Sequence, residues 1–175
     1  MFTYKNRIVY RRKFEKGKLI IGAEAVKVFA VNIQGSRNSP ERGGILLARK
    51  LKSKEDYVLD QVSEPAPGDK AGASFFKRHS NNHQNLVNDA WVKSQGACNY
   101  LGEWHTHYEN TPSPSSIDMK SWRKLMKEVH APFPFIFFVI VGARTLCVYE
   151  GNLRTGKLRR LDEQSQKGWI DWLFE

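Results

Sequence analysis

Apolar positions along the chain alternate between helical and strand periods. Over 23–33, Val26, Phe29, Ala30 and Ile33 recur at helical spacing. The stretch 35–40, bounded by Gly35 and Pro40, ends that helix. GGILLARKL at 43–51 and the alternating run 57–62 read as two strands around a turn at Lys54 and Glu55. Segment 63–74 carries two prolines and two glycines and is expected to be a loop. An amphipathic helix is expected at 79–94, burying Leu86, Val87, Ala90 and Trp91. Residues 99–105 then form a strand and 108–114 a loop. Ser115 is placed to cap a helix, with Asp118 three residues on in capping-box fashion. That helix runs to about Val129, with Trp122, Leu125, Met126 and Val129 inward. Strands at 135–141 and 145–150 make a hairpin around Gly142, Ala143 and Arg144, and 157–161 adds an edge strand. Short strands are also expected at 7–10 and 18–21. The order predicts an α/β fold, a mixed sheet flanked by helices.

At 175 residues, 41% apolar and 26% charged, the chain suits one globular domain. Its parts are a basic lead-in at 1–17, a domain at 18–161 and an apolar tail at 162–175 expected to pack back on the domain. The longest apolar run, 133–141, is broken by Pro134 and falls short of the roughly 20 residues of a membrane span. The basic N-terminus lacks an apolar core, so a cytoplasmic location is expected. Cys98 and Cys147 form no CxxC pair and read as small buried hydrophobes. The net charge of +10 would suit phosphate contacts, but it is spread along the chain with no aromatic platform or phosphate loop. Nucleic acid is therefore not the expected partner; an acidic protein surface or solubility accounts for the charge as well.

The chemistry concentrates in GEWHTHYENTPSPSSID, residues 102–118. His105 and His107 are two apart on a strand and so share a face. Asp118, in the first turn of the next helix, can add a carboxylate oxygen. Two imidazoles and one carboxylate leave a fourth zinc position open, the pattern of a catalytic site. Taken singly, Asp118 and Ser115 would be helix caps and each histidine a solvated side chain; their coincidence points to a metal. Glu41, Glu103 and Glu109 are all candidates for a general base, and spacing alone does not choose among them. Neither an HExxH run nor a Pro-Cys-x-x-Cys segment occurs, which sets aside those other zinc hydrolases.

The spacing His105-Thr106-His107, seven residues, Ser115, two residues, Asp118 resembles the JAMM motif of the JAB/MPN metalloprotease family, whose fold is cytidine-deaminase-like. Glu41, in PERGGILLA, stands where that family has its upstream glutamate. The resemblance implies one zinc per chain held by His105, His107 and Asp118. It implies Glu41 as the base that activates the attacking water and protonates the leaving amine, with Ser115 donating to the developing oxyanion. Tyr108 departs from the proline common after the second histidine, which touches loop shape and substrate preference. GEWHTH, PSPSSID and Trp122 are similar to the small bacterial JAB deconjugases of anti-phage CBASS operons. A protein substrate with an extended C-terminal tail is thereby implied, either a CD-NTase conjugate or a ubiquitin-like protein, its tail added beside the sheet with 63–74 as a groove wall. Processing of a sulfur carrier, or a non-catalytic MPN scaffold, are the alternatives.

Overall fold

The computed structural model describes residues 7–52 and 54–163. In chain order the elements are β1 (Ile8–Arg11), β2 (Lys18–Ile21), α1 (Ala23–Val31), β3 (Gly43–Lys50) and β4 (Tyr57–Val62). There follow β5 (Lys70–Gly72), β6 (Phe75–Lys77), α2 (Ser80–Lys93), β7 (Cys98–Thr106) and α3 (Ser116–Glu128). The chain then forms β8 (Phe135–Val141), β9 (Leu146–Asn152), β10 (Lys157–Arg160) and β11 (Asp162–Glu163). One nine-stranded sheet has the order β10-β9-β8-β7-β3-β4-β2-β1-β11. The pairs β2–β4 and β7–β8 are parallel and the rest antiparallel, so the sheet is mixed as the sequence predicts. At one edge β1 (Ile8–Arg11) pairs with β11 (Asp162–Glu163), so the sheet draws on residues before and after the stretch 18–161.

Side chains alternate across the sheet and divide the core in two. On one face Leu46, Ala48, Phe137 and Val139 pack with Ala25, Val26 and Phe29 of α1. On the other, α2 covers Ile45 and Leu47 through Ala90, and α3 covers Ile136, Phe138 and Ile140 through Trp122 and Met126. The Trp122 ring stacks on Phe138 at 4.6 Å. Each large apolar side chain fully buried in this way stabilises the fold by about 1.5–3 kcal/mol over its exposed state. Cys98 and Cys147 are buried free thiols, as expected.

Two sequence expectations need correction. Residues 63–74 are not all loop: Lys70–Gly72 pairs with Phe75–Lys77 as a small separate hairpin. On α2 the inward residues are His83, fully buried, Ala90 and partly Val87, while Leu86 and Trp91 are exposed. Apolar periodicity misplaced the face because a polar residue, His83, occupies its centre. The expectation that the apolar tail packs back concerns residues 164–175, which lie outside the described residues.

A β-bulge in β7 sets the geometry of everything downstream. Leu46 pairs with Gly102 and Leu47 with Tyr100, leaving Leu101 as the extra residue. Leu101 and Trp104 therefore join the α1 core, while Tyr100, Glu103 and His105 share the opposite face. Gly102 sits at φ 153°, and a Cβ there would lie 1.8 Å from the Phe137 carbonyl oxygen. Gly102→Ala is thus expected to cost at least about 3 kcal/mol through strain and displacement of β8. Chemical denaturation checks this, and an unchanged midpoint would show that the strand accommodates the methyl group.

Candidate metal centre

β7, an interior strand, carries His105 near its C-terminal end, and the His107 N–H donates to the Val141 carbonyl at 3.0 Å, so the chain stays extended one residue past the strand. Both rings then project the same way. Their Nε2 atoms lie 3.1 Å apart. Asp118 arrives from α3, where it closes a capping box with Ser115. Its N–H donates to Ser115 Oγ, while the Ser115 N–H and O–H donate to Asp118 Oδ2 at 2.6 and 2.7 Å. The same carboxylate faces both histidines, Oδ1 at 3.1 Å from His105 and Oδ2 at 3.3 Å from His107. One residue thus starts a helix and meets both imidazoles.

Glu41 comes from the loop before β3, 6% exposed, with Oε1 3.9 Å from His107 Nε2. That loop is tied on two sides. The Glu41 N–H donates to the Gly72 carbonyl at 2.8 Å, and Arg42 and Thr106 exchange bonds of 3.0 and 2.8 Å. Buried Gln34 strengthens the first tie, its amide donating to the carbonyls of Ser39 and Ala73. The Gly43–Gly44 pair follows from this crowding: a Cβ on Gly43 would strike Phe76 and the Trp104 carbonyl, and one on Gly44 the Ser63 carbonyl.

The electrostatics match the packing. Burial raises Glu41 above the usual carboxylate range, partly offset by the two histidines. Burial also works to raise Asp118, but hydrogen bonds with His105 and His107 outweigh it and hold the carboxyl far below its ordinary value. For His107, burial works downward and is overcome by the hydrogen bond and charge of Asp118, which leave it raised. Two ring nitrogens this close cannot both donate to each other, and both already face carboxylate oxygens. One ligand atom each from Glu41, His105 and His107 lies within 4.8 Å of the others. Nitrogen and carboxylate donors converging at this spacing suit a borderline divalent ion such as zinc. Either carboxylate can reach such an ion; Asp118 approaches both histidines more closely than Glu41 approaches His107.

The structure brings the five sequence-predicted residues together and separates the rival bases. Glu103 shares the histidine face, but its Oε1 accepts from Arg78 at 2.8 and 3.1 Å. Glu109 accepts the Ser113 N–H within its loop. A narrow groove of about 80 Å³ beside the centre is lined by Glu41, Phe76, Arg78, Glu103 and Ile117, among others. Phe75 and Ile117, which line it, stand roughly half exposed.

Sequence reading missed Gln34, Arg78 and a buried clamp behind the groove. In the clamp Ser63 Oγ accepts the Ile45 N–H and lies 2.8 Å from His83 Nδ1. His83 Nε2 lies 3.1 Å from Asp69. With Ser63 donating to Nδ1, the Nε2–H donates to Asp69, which also accepts the N–H groups of Ala66 and His79. Burial works to raise Asp69, but those backbone bonds outweigh it and hold its carboxyl low. Although serine, histidine and aspartate line up, His83 is fully buried with both ring nitrogens engaged, so the trio fastens the segment bearing the hairpin. Its members are too far apart in sequence for any local pattern to reveal them.

Comparison with known proteins adds an independent line. A family model described as prokaryotic homologs of the JAB domain matches residues 23–155. A protein of Escherichia coli (strain TW11681) named CD-NTase/cGAS isopeptidase is 34% identical over 143 residues, covering 82% of this chain and 87% of its own. A Pseudomonas aeruginosa (strain BWHPSA011 / Pa011) protein of the same name is 31% identical over 123 residues, 70% of this chain and 76% of its own. A third, from Vibrio cholerae, is 40% identical over 86 residues, 49% and 54% of the two chains. Among solved structures, the solution structure of a Desulfitobacterium hafniense protein covers 84% of this chain and 88% of its own, with TM-score 0.50 and 17% identity, a likeness of fold alone. No helix among the described residues is long and apolar enough to cross a membrane.

Proposed function

We propose, because the chain belongs to the family of prokaryotic homologs of the JAB domain, that it is a zinc-dependent isopeptidase cutting the amide bond after a conjugated protein's C-terminus. The observation that carries this reading is the convergence of His105, His107, Asp118 and Glu41 at one end of β7. Three relatives named for CD-NTase/cGAS isopeptidase activity support a CD-NTase as the conjugated protein, within an anti-phage CBASS system.

In this reading His105, His107 and Asp118 hold the ion. Zinc, when bound, supplies a positive charge that acidifies a water and polarises the scissile carbonyl. Glu41 takes the proton from the attacking water and passes it to the leaving amine. Its burial, which raises its proton affinity, suits a group that must first hold and then return a proton. Ser115 donates to the oxygen that becomes negative as the carbonyl is attacked. Because its hydroxyl donates to Asp118 Oδ2, that O–H has to turn toward the substrate.

The test uses the full chain and a conjugate joining a CD-NTase C-terminus to a lysine amine on a carrier protein. Stoichiometric zinc and cleavage that chelator stops and zinc restores are expected. Zinc with no cleavage of this conjugate, but cleavage of a ubiquitin-like one, would move the substrate. Absence of zinc binding would overturn the reading.

A further inference from the structure

Positive charge that is spread along the sequence gathers at one place in the fold. A hollow of about 690 Å³ lies where the loop between β1 and β2 meets the turn between β3 and β4. Arg11, Arg12, Lys13, Lys16, Lys18 and Lys54 line it, against the acids Glu15, Glu55 and Asp56. All three acids are engaged. Glu55 pairs with Lys50 at 2.6 Å, Glu15 lies 3.5 Å from Arg12, and Asp56 accepts the Lys18 N–H at 2.8 Å. Arg12 and Lys13 pair with Glu150 and Asp162. Arg11, Lys16, Lys18 and Lys54 are exposed, and among the described residues no acid pairs with their side chains.

The platform beneath these side chains is fixed. Arg12 is buried, its guanidinium 4.8 and 4.4 Å from the ring centres of Tyr57 and Phe135, and its Nε–H donates to Glu150 at 2.8 Å. Its Nη1–H donates to the Glu55 carbonyl, tying one wall of the hollow to the other. A Cβ on Gly17, at φ 134°, would lie 2.3 Å from that same carbonyl oxygen, so loop and turn are in direct contact. Arg12 Nη2 has no hydrogen-bond partner among the described residues, which leaves an unspent cationic donor at the floor. The hollow is remote from the metal centre. Gly43 pairs with His105 at one end of β3, and Lys50 pairs with Tyr57 at the other. At roughly 3.3 Å per residue, this eight-residue strand sets its ends about 23 Å apart.

We infer that this hollow is a second binding site, separate from the metal centre, that docks an acidic segment of a protein partner through its Asp and Glu side chains. The form of the loop favours carboxylates over phosphates. Phosphate cradles are commonly built from converging backbone N–H groups. Here the N–H groups of Arg12, Lys13, Phe14 and Lys18 are spent inward, on the Gly17 carbonyl, Glu150 and Asp56. Single-stranded nucleic acid also needs an aromatic face for its bases. Phe14, the aromatic residue lining the hollow, is partly buried and stacked on Phe135 at 6.2 Å. The protein's own Glu15 already sets a carboxylate beside Arg12, and as its side chain is 42% exposed it can yield that place to an incoming one. Flexible lysines around the rim meet carboxylates at varied spacing, as a peptide of mixed acidic sequence requires. Binding here needs neither metal nor cleavage.

Fluorescence anisotropy on the full chain tests this, with a labelled peptide rich in Asp and Glu, its Asn and Gln counterpart, and a single-stranded oligonucleotide of equal charge. At low ionic strength the acidic peptide is expected to bind at least about tenfold more tightly than the neutral one, and added salt is expected to erode that difference. Lys16→Glu combined with Lys54→Glu reverses two exposed rim charges and leaves the platform intact; it is expected to weaken the acidic peptide at least about fivefold. Arg123→Glu combined with Lys127→Glu makes the same change of net charge on the exposed surface of α3 and is expected to alter binding less than about twofold. Equal losses in the two double variants would show attraction to overall charge and overturn the site. No preference for the acidic peptide over the neutral one would overturn it as well. An oligonucleotide that binds more tightly than the acidic peptide, and loses that binding in Lys16→Glu/Lys54→Glu, would overturn the assignment to carboxylates.

Discussion

His105→Ala and Asp118→Ala are each expected to empty the centre of zinc and reduce turnover to background. Both side chains meet the other donors within 3.1–3.3 Å, so removal of either leaves too few groups to hold the ion. Loss of a residue that merely orients a ligand already costs about 10–100-fold in metal affinity, and loss of a ligand should exceed that. The two variants differ in one respect. Asp118 also completes the α3 capping box, so Asp118→Ala should destabilise the metal-free protein by up to a cap's worth, about 0.5–2 kcal/mol, seen as a lower melting temperature. His105→Ala should not show that cap loss. Ser115→Ala supplies the control, weakening the cap while keeping every proposed ligand. Zinc per chain after dialysis, measured beside metal-free melting curves, separates the two roles. Full zinc occupancy in either variant refutes that residue as a ligand.

Glu41→Gln is expected to keep zinc and lower kcat by about 10²–10⁴-fold, the usual worth of a positioned proton carrier. The substitution preserves volume at a buried position and leaves the backbone bond to Gly72 intact. Its effect on stability has a definite sign. Glu41 has a raised folded pKa, so its charged form is penalised by folding: the penalty is absent at low pH and present once the carboxyl ionises. Neutral Gln escapes it, so the metal-free variant should be at least as stable as the native chain at neutral pH. Glu41 is also close enough to the histidines to be a ligand itself, and the same samples decide the matter. Loss of zinc in Glu41→Gln would make it one; retained zinc with full turnover would send the base role elsewhere. Glu103 is the weaker rival, since Arg78 already engages its carboxylate.

What was legible in the sequence was what local spacing encodes. Two histidines two apart on a strand, and a serine and aspartate three apart at a helix start, sit as the periodicities require. Glu41 was not legible in that way: 64 residues separate it from His105, and only the family resemblance named it. The hairpin at 70–77 was hidden because its strands, KAG and FFK, are three residues each and too short to carry an alternation to read. The inner face of α2 was misread for a physical reason. His83 is buried by partners 14 and 20 residues away, so a polar residue holds the place an apolar one would signal. The shared outlook of Tyr100 and His105 was hidden by simple counting: an even and an odd position on a regular strand face opposite ways, and only the bulge brings these two to one face.

That last feature constrains how the chain can change. The bulge at Leu101 acts as a spatial frameshift between the upstream half of β7 and its histidine-bearing end. Removing Leu101, the extra residue, would leave Tyr100 and His105 four apart and on one face of a regular strand, whereas removing one residue beyond the bulge, with the bulge kept, would turn the imidazoles into the α1 core. The two ends of β7 can therefore differ by one residue among related chains only where the bulge itself is gained or lost, and chimeras that join chains within this strand must match bulge to bulge.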